Sequence, residues 1–226
     1  MSARRDYERH MTRRGVGTLR EGASVPRLGR LSAATALPIV FGAAAVPPAY
    51  AHSGTGLAGG FESGFSHPFT GVDHLLAMVS VGIWGAFLGR PLLYALPVIF
   101  PLIMVGGAIL GMFSLPMPPL ELGIAASVLV LGLCVCLAIQ APAWVACAIV
   151  AIFAVFHGYA HGIELPSAAD PVGYSVGFVL ATGLLHALGI GIGLLNALPK
   201  GILVTRSFGG AVAVAGAWYL VRRLGL

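Results

Sequence analysis

The chain has 226 residues, 58% of them apolar and only 9% charged, and its mean hydropathy is +0.91. A soluble domain carries roughly 25% charged residues, so this chain cannot cover itself for water and lipid must solvate most of it. The net charge of +5 sits in residues 1–30, which hold eight arginines and three acids, whereas the rest of the chain holds five basic and five acidic side chains; the basicity marks a leader and excludes a nucleic-acid-binding surface.

Residues 1–51 read as an export signal. A basic stretch ends at Arg30, an apolar run follows from Leu31 to Val46, and Ala49-Tyr50-Ala51 supplies the small-x-small cleavage pattern. The basic region is long, and Met11 offers an alternative start. Arg13-Arg14 lacks the apolar pair that usually follows a twin arginine. Cleavage after Ala51 makes His52 the mature N-terminus, and the Gly/Ser/Thr-rich segment His52–Gly64 reads as a flexible lead-in.

Six apolar stretches follow, at about 69–89, 92–113, 119–139, 142–165, 172–198 and 201–221, each near the ~20 residues that cross a bilayer. Every break between them contains proline, which removes a backbone donor and stops a helix. The expected fold is all-α: a polytopic membrane protein whose residues 52–226 form one domain of six transmembrane helices behind a cleaved signal peptide. Short connections make successive helices antiparallel. With the mature N-terminus outside, Arg90, Lys200 and Arg206 fall at inner ends and Glu121, Glu164 and Asp170 at outer ends, in keeping with the positive-inside rule; Arg222 and Arg223 run against it. The glycines of the last two stretches (Gly183, Gly189, Gly191, Gly193, Gly209, Gly210, Gly216) suit close helix packing. Cys134, Cys136 and Cys147 read as small buried hydrophobes.

Ionisable side chains in a membrane helix are costly, roughly 2.5–3.5 kcal/mol for an Asp at mid-helix, so those that are kept point to function. One group, His67, Asp73 and His74, opens the first stretch. His67 lies at or before the helix start, where the chain can fold back so that three ligands meet one ion. Met78 shares a face with His74. A second group, His157, His161 and Glu164, closes the fourth stretch on one helical stripe, and two imidazoles one turn apart make a bidentate clamp. Alternating topology puts all six side chains near the outer face. His52 adds an imidazole and an α-amine, and His186 lies alone about 14 residues into the fifth stretch, roughly 21 Å along it. Imidazole and carboxylate without thiolate suit Ni, Zn, Cu(II), Fe or Co, while Mg and Ca favour all-oxygen sites. The chain contains neither G-x-x-x-x-G-K-[ST] nor H-E-x-x-H.

At His67-Pro68-Phe69-Thr70-Gly71-Val72-Asp73-His74 and at Phe156-His157-Gly158-Tyr159-Ala160-His161-Gly162-Ile163-Glu164, the sequence resembles the HupE/UreJ family of nickel and cobalt permeases. The likeness extends over about residues 52–221, including Ala181–Gly191. It implies an inner-membrane importer of Ni²⁺ or Co²⁺ from the periplasm, not an enzyme. The ion would be cargo, with no resident cofactor, and metallochaperones or hydrogenase and urease maturation proteins would receive it. The rival readings are a membrane-embedded zinc-dependent metallohydrolase and a metal-sensing or chaperone subunit.

Overall fold

The computed structural model describes residues 57–165 and 170–225; the export signal and His52 lie outside them. Every regular element among the described residues is helical: α1 (Leu57–Thr70), α2 (Val72–Leu88), α3 (Leu92–Met112), α4 (Leu120–Cys136), α5 (Ala143–Glu164), α6 (Pro171–Leu194), a 3-10 turn at Leu195–Ala197, and α7 (Gly201–Leu224).

Four of these, α3, α5, α6 and α7, are long and apolar enough to cross a bilayer, and the bent pair α1–α2 makes a fifth crossing if taken as one span. The expectation of six full-length spans is therefore met in part. The third stretch, expected over 119–139, gives a helix of 17 residues, about 25 Å at 1.5 Å per residue. It stops because the backbone turns left-handed at Ala138 (φ 50°) and the Ile139 amide bonds back to the Cys134 carbonyl at 2.9 Å, a helix-ending pattern. The lead-in expected to be flexible is helical from Leu57 onward. Gly71, in an extended conformation, separates α1 from α2, and the two helices meet at 78°.

Prolines do cap the helices at Pro91, Pro119 and Pro142 and open α6 at Pro171. They also lie inside α1 (Pro68) and α3 (Pro97, Pro101), where each withholds a donor from the carbonyl four residues back.

α2 is the central helix. It is buried without interruption from Leu76 to Gly85 and packs against α1, α3, α4, α6 and α7. Glycines set the remaining pairs. Gly158 and Gly162 of α5 lie on the Met104 and Ala108 carbonyls of α3, Gly82 of α2 lies on the His186 carbonyl, and Gly132 and Gly216 join α4 to α7. Contact partners rise together along α3 and α5 and along α2 and α6, so these pairs are parallel; along α4 and α7 they run oppositely. Helices that alternate in direction along the chain give this pattern. Gly189, Gly193, Gly209 and Gly216 pack closely as expected, whereas a side chain at Gly183 or Gly191 would meet nothing within 4 Å. The outward faces are apolar, with Leu102, Trp144 and Val214 at 66%, 75% and 71% exposure, a surface suited to acyl chains. Cys134 is buried, Cys136 and Cys147 are half-buried, and all three are free thiols.

Candidate metal centre

Three helices bring four imidazoles together beside α6. His67 comes from the last turn of α1, His74 from the first turn of α2, and His157 and His161 from successive turns of α5. The i, i+4 spacing on α5 places His157 and His161 on one face, and the ring of His74 enters between them. Its centroid lies 4.4 Å from each. His74 Nδ1 is 3.0 Å from His157 Nδ1, and its Nε2 is 3.0 Å from His161 Nε2. His67 stands edge-on to His161 at 4.9 Å. Phe178 of α6 walls the cluster, 4.2 Å from the His161 ring and 5.5 Å from His74.

The cluster is inside the bundle. His74, His157 and His161 are buried, at 5%, 0% and 6% exposure. α1 and the start of α6 close over them, with Gly64 packed on the Tyr174 backbone. His67 does fold back, because the break at Gly71 redirects α1, but its ring goes to His161 and not to a common point with Asp73 and His74. Asp73 is half-buried, and its Oδ1 accepts from the His74 amide at 2.8 Å. Glu164 ends α5, and its side chain lies outside the described residues. Among the described residues no three His, Cys, Asp or Glu side chains converge on one ion; the rings are bonded in series.

His186 of α6 is buried at 1% exposure and has no hydrogen-bond partner at either nitrogen among the described residues. Phe100 neighbours both it and the cluster, 5.6 Å from the His186 ring and 5.8 Å from His157. Pro101 leaves the Pro97 carbonyl without its helical donor. Met78 is fully buried in the core.

Four contributors escaped the sequence reading. Phe100, Tyr174 and Phe178 look like ordinary apolar content of their helices. Ser127 is fully buried, and its Oγ lies 2.8 Å from His157 Nε2. A lone hydroxyl in the run Leu120–Cys136 was the available signal, because a polar atom kept in a lipid-solvated helix must be bonded.

A lipid-faced helical bundle with imidazoles buried at its centre defines a multi-pass membrane protein that carries polar ligand groups within its own interior. Residues 39–219 match the family described as HupE / UreJ protein. Protein HupE of Rhizobium leguminosarum bv. viciae is 46% identical over 180 residues, covering 79% of this chain and 94% of that protein. The chain belongs to the HupE/UreJ family, which is associated with nickel and cobalt transport. No solved structure matches it.

Proposed function

We propose that the protein is an inner-membrane permease that takes Ni²⁺ or Co²⁺ from the periplasm inward. The cargo is captured by His67, Asp73, His74, His157, His161 and Glu164 and passed by way of His186, with His52 as an outer ligand if the signal is cleaved after Ala51. The observation that carries this reading is the set of imidazoles buried between α1, α2 and α5, bonded chiefly to one another in a lipid-solvated bundle. Neutral nitrogen ligands bind borderline divalent metals, and a ring can exchange its N–H···N contact for a bond to metal and then return. Nitrogens 3.0 Å apart are also at the spacing of adjacent ligands in a six-coordinate shell, given bonds of about 2.1 Å.

Three features support passage across the bundle and not a closed structural site. The ligands are spread over several helices, they form a series, and a further buried imidazole, His186, neighbours the same Phe100 ring as the cluster. The bent α1–α2 pair and α4 complete six crossings in this reading.

Uptake by proteoliposomes containing the purified protein tests it. Radiolabelled Ni²⁺ or Co²⁺ should accumulate and compete with each other, whereas Mg²⁺ and Ca²⁺, which favour oxygen shells, should not compete. Binding without accumulation would assign the protein to metal sensing or delivery instead.

A further inference from the structure

The hydrogen-bond series has a direction, and one residue outside the histidine motifs sets it. Ser127 Oγ lies 2.6 Å from the Ile124 carbonyl and 2.8 Å from His157 Nε2. A hydroxyl has a single proton and a carbonyl can only accept, so the Ser127 proton is committed to Ile124. His157 Nε2 must then carry the hydrogen and donate to Ser127. A neutral imidazole has one N–H and one lone pair, which makes His157 Nδ1 an acceptor. It faces His74 Nδ1 at 3.0 Å, so His74 donates from Nδ1 and accepts at Nε2. His161 Nε2, 3.0 Å from His74 Nε2, must be the donor there. What remains is His161 Nδ1 with its lone pair.

That atom is buried and has no hydrogen-bond partner among the described residues. Other atoms of His161 line a half-open pocket of about 70 Å³ between α3, α5 and α6, with Met104, Met112, Tyr174 and Phe178 among its other walls.

We propose that Ser127 is a positioning residue: by fixing the tautomer of His157 and, through two N···N bonds, those of His74 and His161, it leaves the lone pair of His161 Nδ1 as the one uncommitted ring nitrogen that this series can offer to a divalent transition-metal ion. The proposal deepens the permease reading and rests on it. With the opposite polarity His161 Nδ1 would carry a hydrogen, and an approaching cation would meet a donor instead of a ligand.

Nitrogen-15 solid-state NMR of the full-length, histidine-labelled protein in bilayers reads the tautomers directly. The expected pattern is N–H at His157 Nε2, His74 Nδ1 and His161 Nε2. An N–H at His74 Nε2 or His161 Nδ1 in the metal-free protein overturns the proposal. On addition of Ni²⁺ at low occupancy the His161 Nδ1 signal should be the first lost; prior loss of a His67 or His157 signal also overturns it. Ser127→Ala should redistribute the His157 and His74 tautomers and weaken Ni²⁺ binding by about tenfold, in line with the loss of a group that orients a ligand. Ser127→Thr, which keeps the hydroxyl, should restore both. Unchanged tautomers in Ser127→Ala would reduce Ser127 to a packing residue and end the argument. If the native protein showed the expected tautomers yet bound no Ni²⁺ or Co²⁺, the permease reading would fail while the hydrogen-bond polarity stood.

Discussion

His74 spends both ring nitrogens on neighbours from another helix, which makes it the junction of the histidine series. His74→Ala removes both N···N contacts and leaves His157 Nδ1 and His161 Nε2 facing a void, so Ni²⁺ affinity should fall by well over tenfold in titration calorimetry. His157→Ala and His161→Ala each break one contact to the same ring. Their effects should be strongly non-additive, because residues that share a partner couple; a double variant whose loss equals the sum of the two singles would show that each serves an ion of its own. His186 is different. Neither of its nitrogens bonds to the cluster, so His186→Ala should leave equilibrium binding there within about twofold while initial uptake falls sharply. Binding in detergent and uptake in vesicles, measured on the same variants, separate the two roles. Equal loss of affinity in His186→Ala and His74→Ala would place His186 in the capture set.

The helix pairs are held by backbone-to-backbone approach, and this gives a sharp contrast between glycines. A Cβ at Gly158 or Gly162 would collide with the Met104 or Ala108 carbonyl of α3, and neither backbone can yield without parting α3 from α5. Gly158→Ala should therefore cost about 1–3 kcal/mol and, because His157 is the next residue, loosen the histidine series as well. Gly183→Ala on the exposed face of α6, where nothing lies within 4 Å, should leave stability unchanged or raise it slightly. Thermal unfolding in detergent compares them. Composition, the proline breaks and the i, i+4 histidines made the helices and half of the cluster legible in the sequence. The helical content of α1 was not: its Gly- and Ser-rich start looks like a linker, and it is packing of Gly60 and Gly64 on α6 that holds it as a helix. The shortness of α4 was hidden too, because Leu137–Ile139 continue the apolar run while the chain has already turned. Nor can spacing along the sequence show that His74 enters between His157 and His161 or that Ser127 closes the series, since those contacts join residues 83, 87 and 30 positions apart.

At the scale of the whole molecule, the arrangement of charge argues for one orientation. Gln140 bonds the Phe87 carbonyl, Trp84 the Ile139 carbonyl and Arg206 the Cys136 carbonyl, so the ends of α2 and α4 and the start of α7 form one end of the bundle, near Arg90. Arg206 there meets the carbonyl end of α4, where a cation is favoured. At the other end Arg223 pairs with Glu121 at 2.7 Å, both about half exposed. That pairing weakens the objection from Arg222 and Arg223 to the positive-inside count, because a basic group already matched by a carboxylate does less to hold its end in the cytoplasm. The Arg90–Lys200–Arg206 end is thus expected inside, with Asp170, Glu121 and the opening of α1 outside. Single cysteines in a background without Cys134, Cys136 and Cys147 test this in intact cells. Leu115→Cys and Val172→Cys should react with an impermeant thiol reagent added outside, whereas Arg90→Cys and Lys200→Cys should react only after the membrane is opened. N-terminal sequencing of the same preparations should begin at His52. The reverse labelling pattern would put the histidine series nearer the cytoplasm and turn the proposed importer into a candidate for efflux, and a retained leader would remove the reason for placing the start of α1 outside.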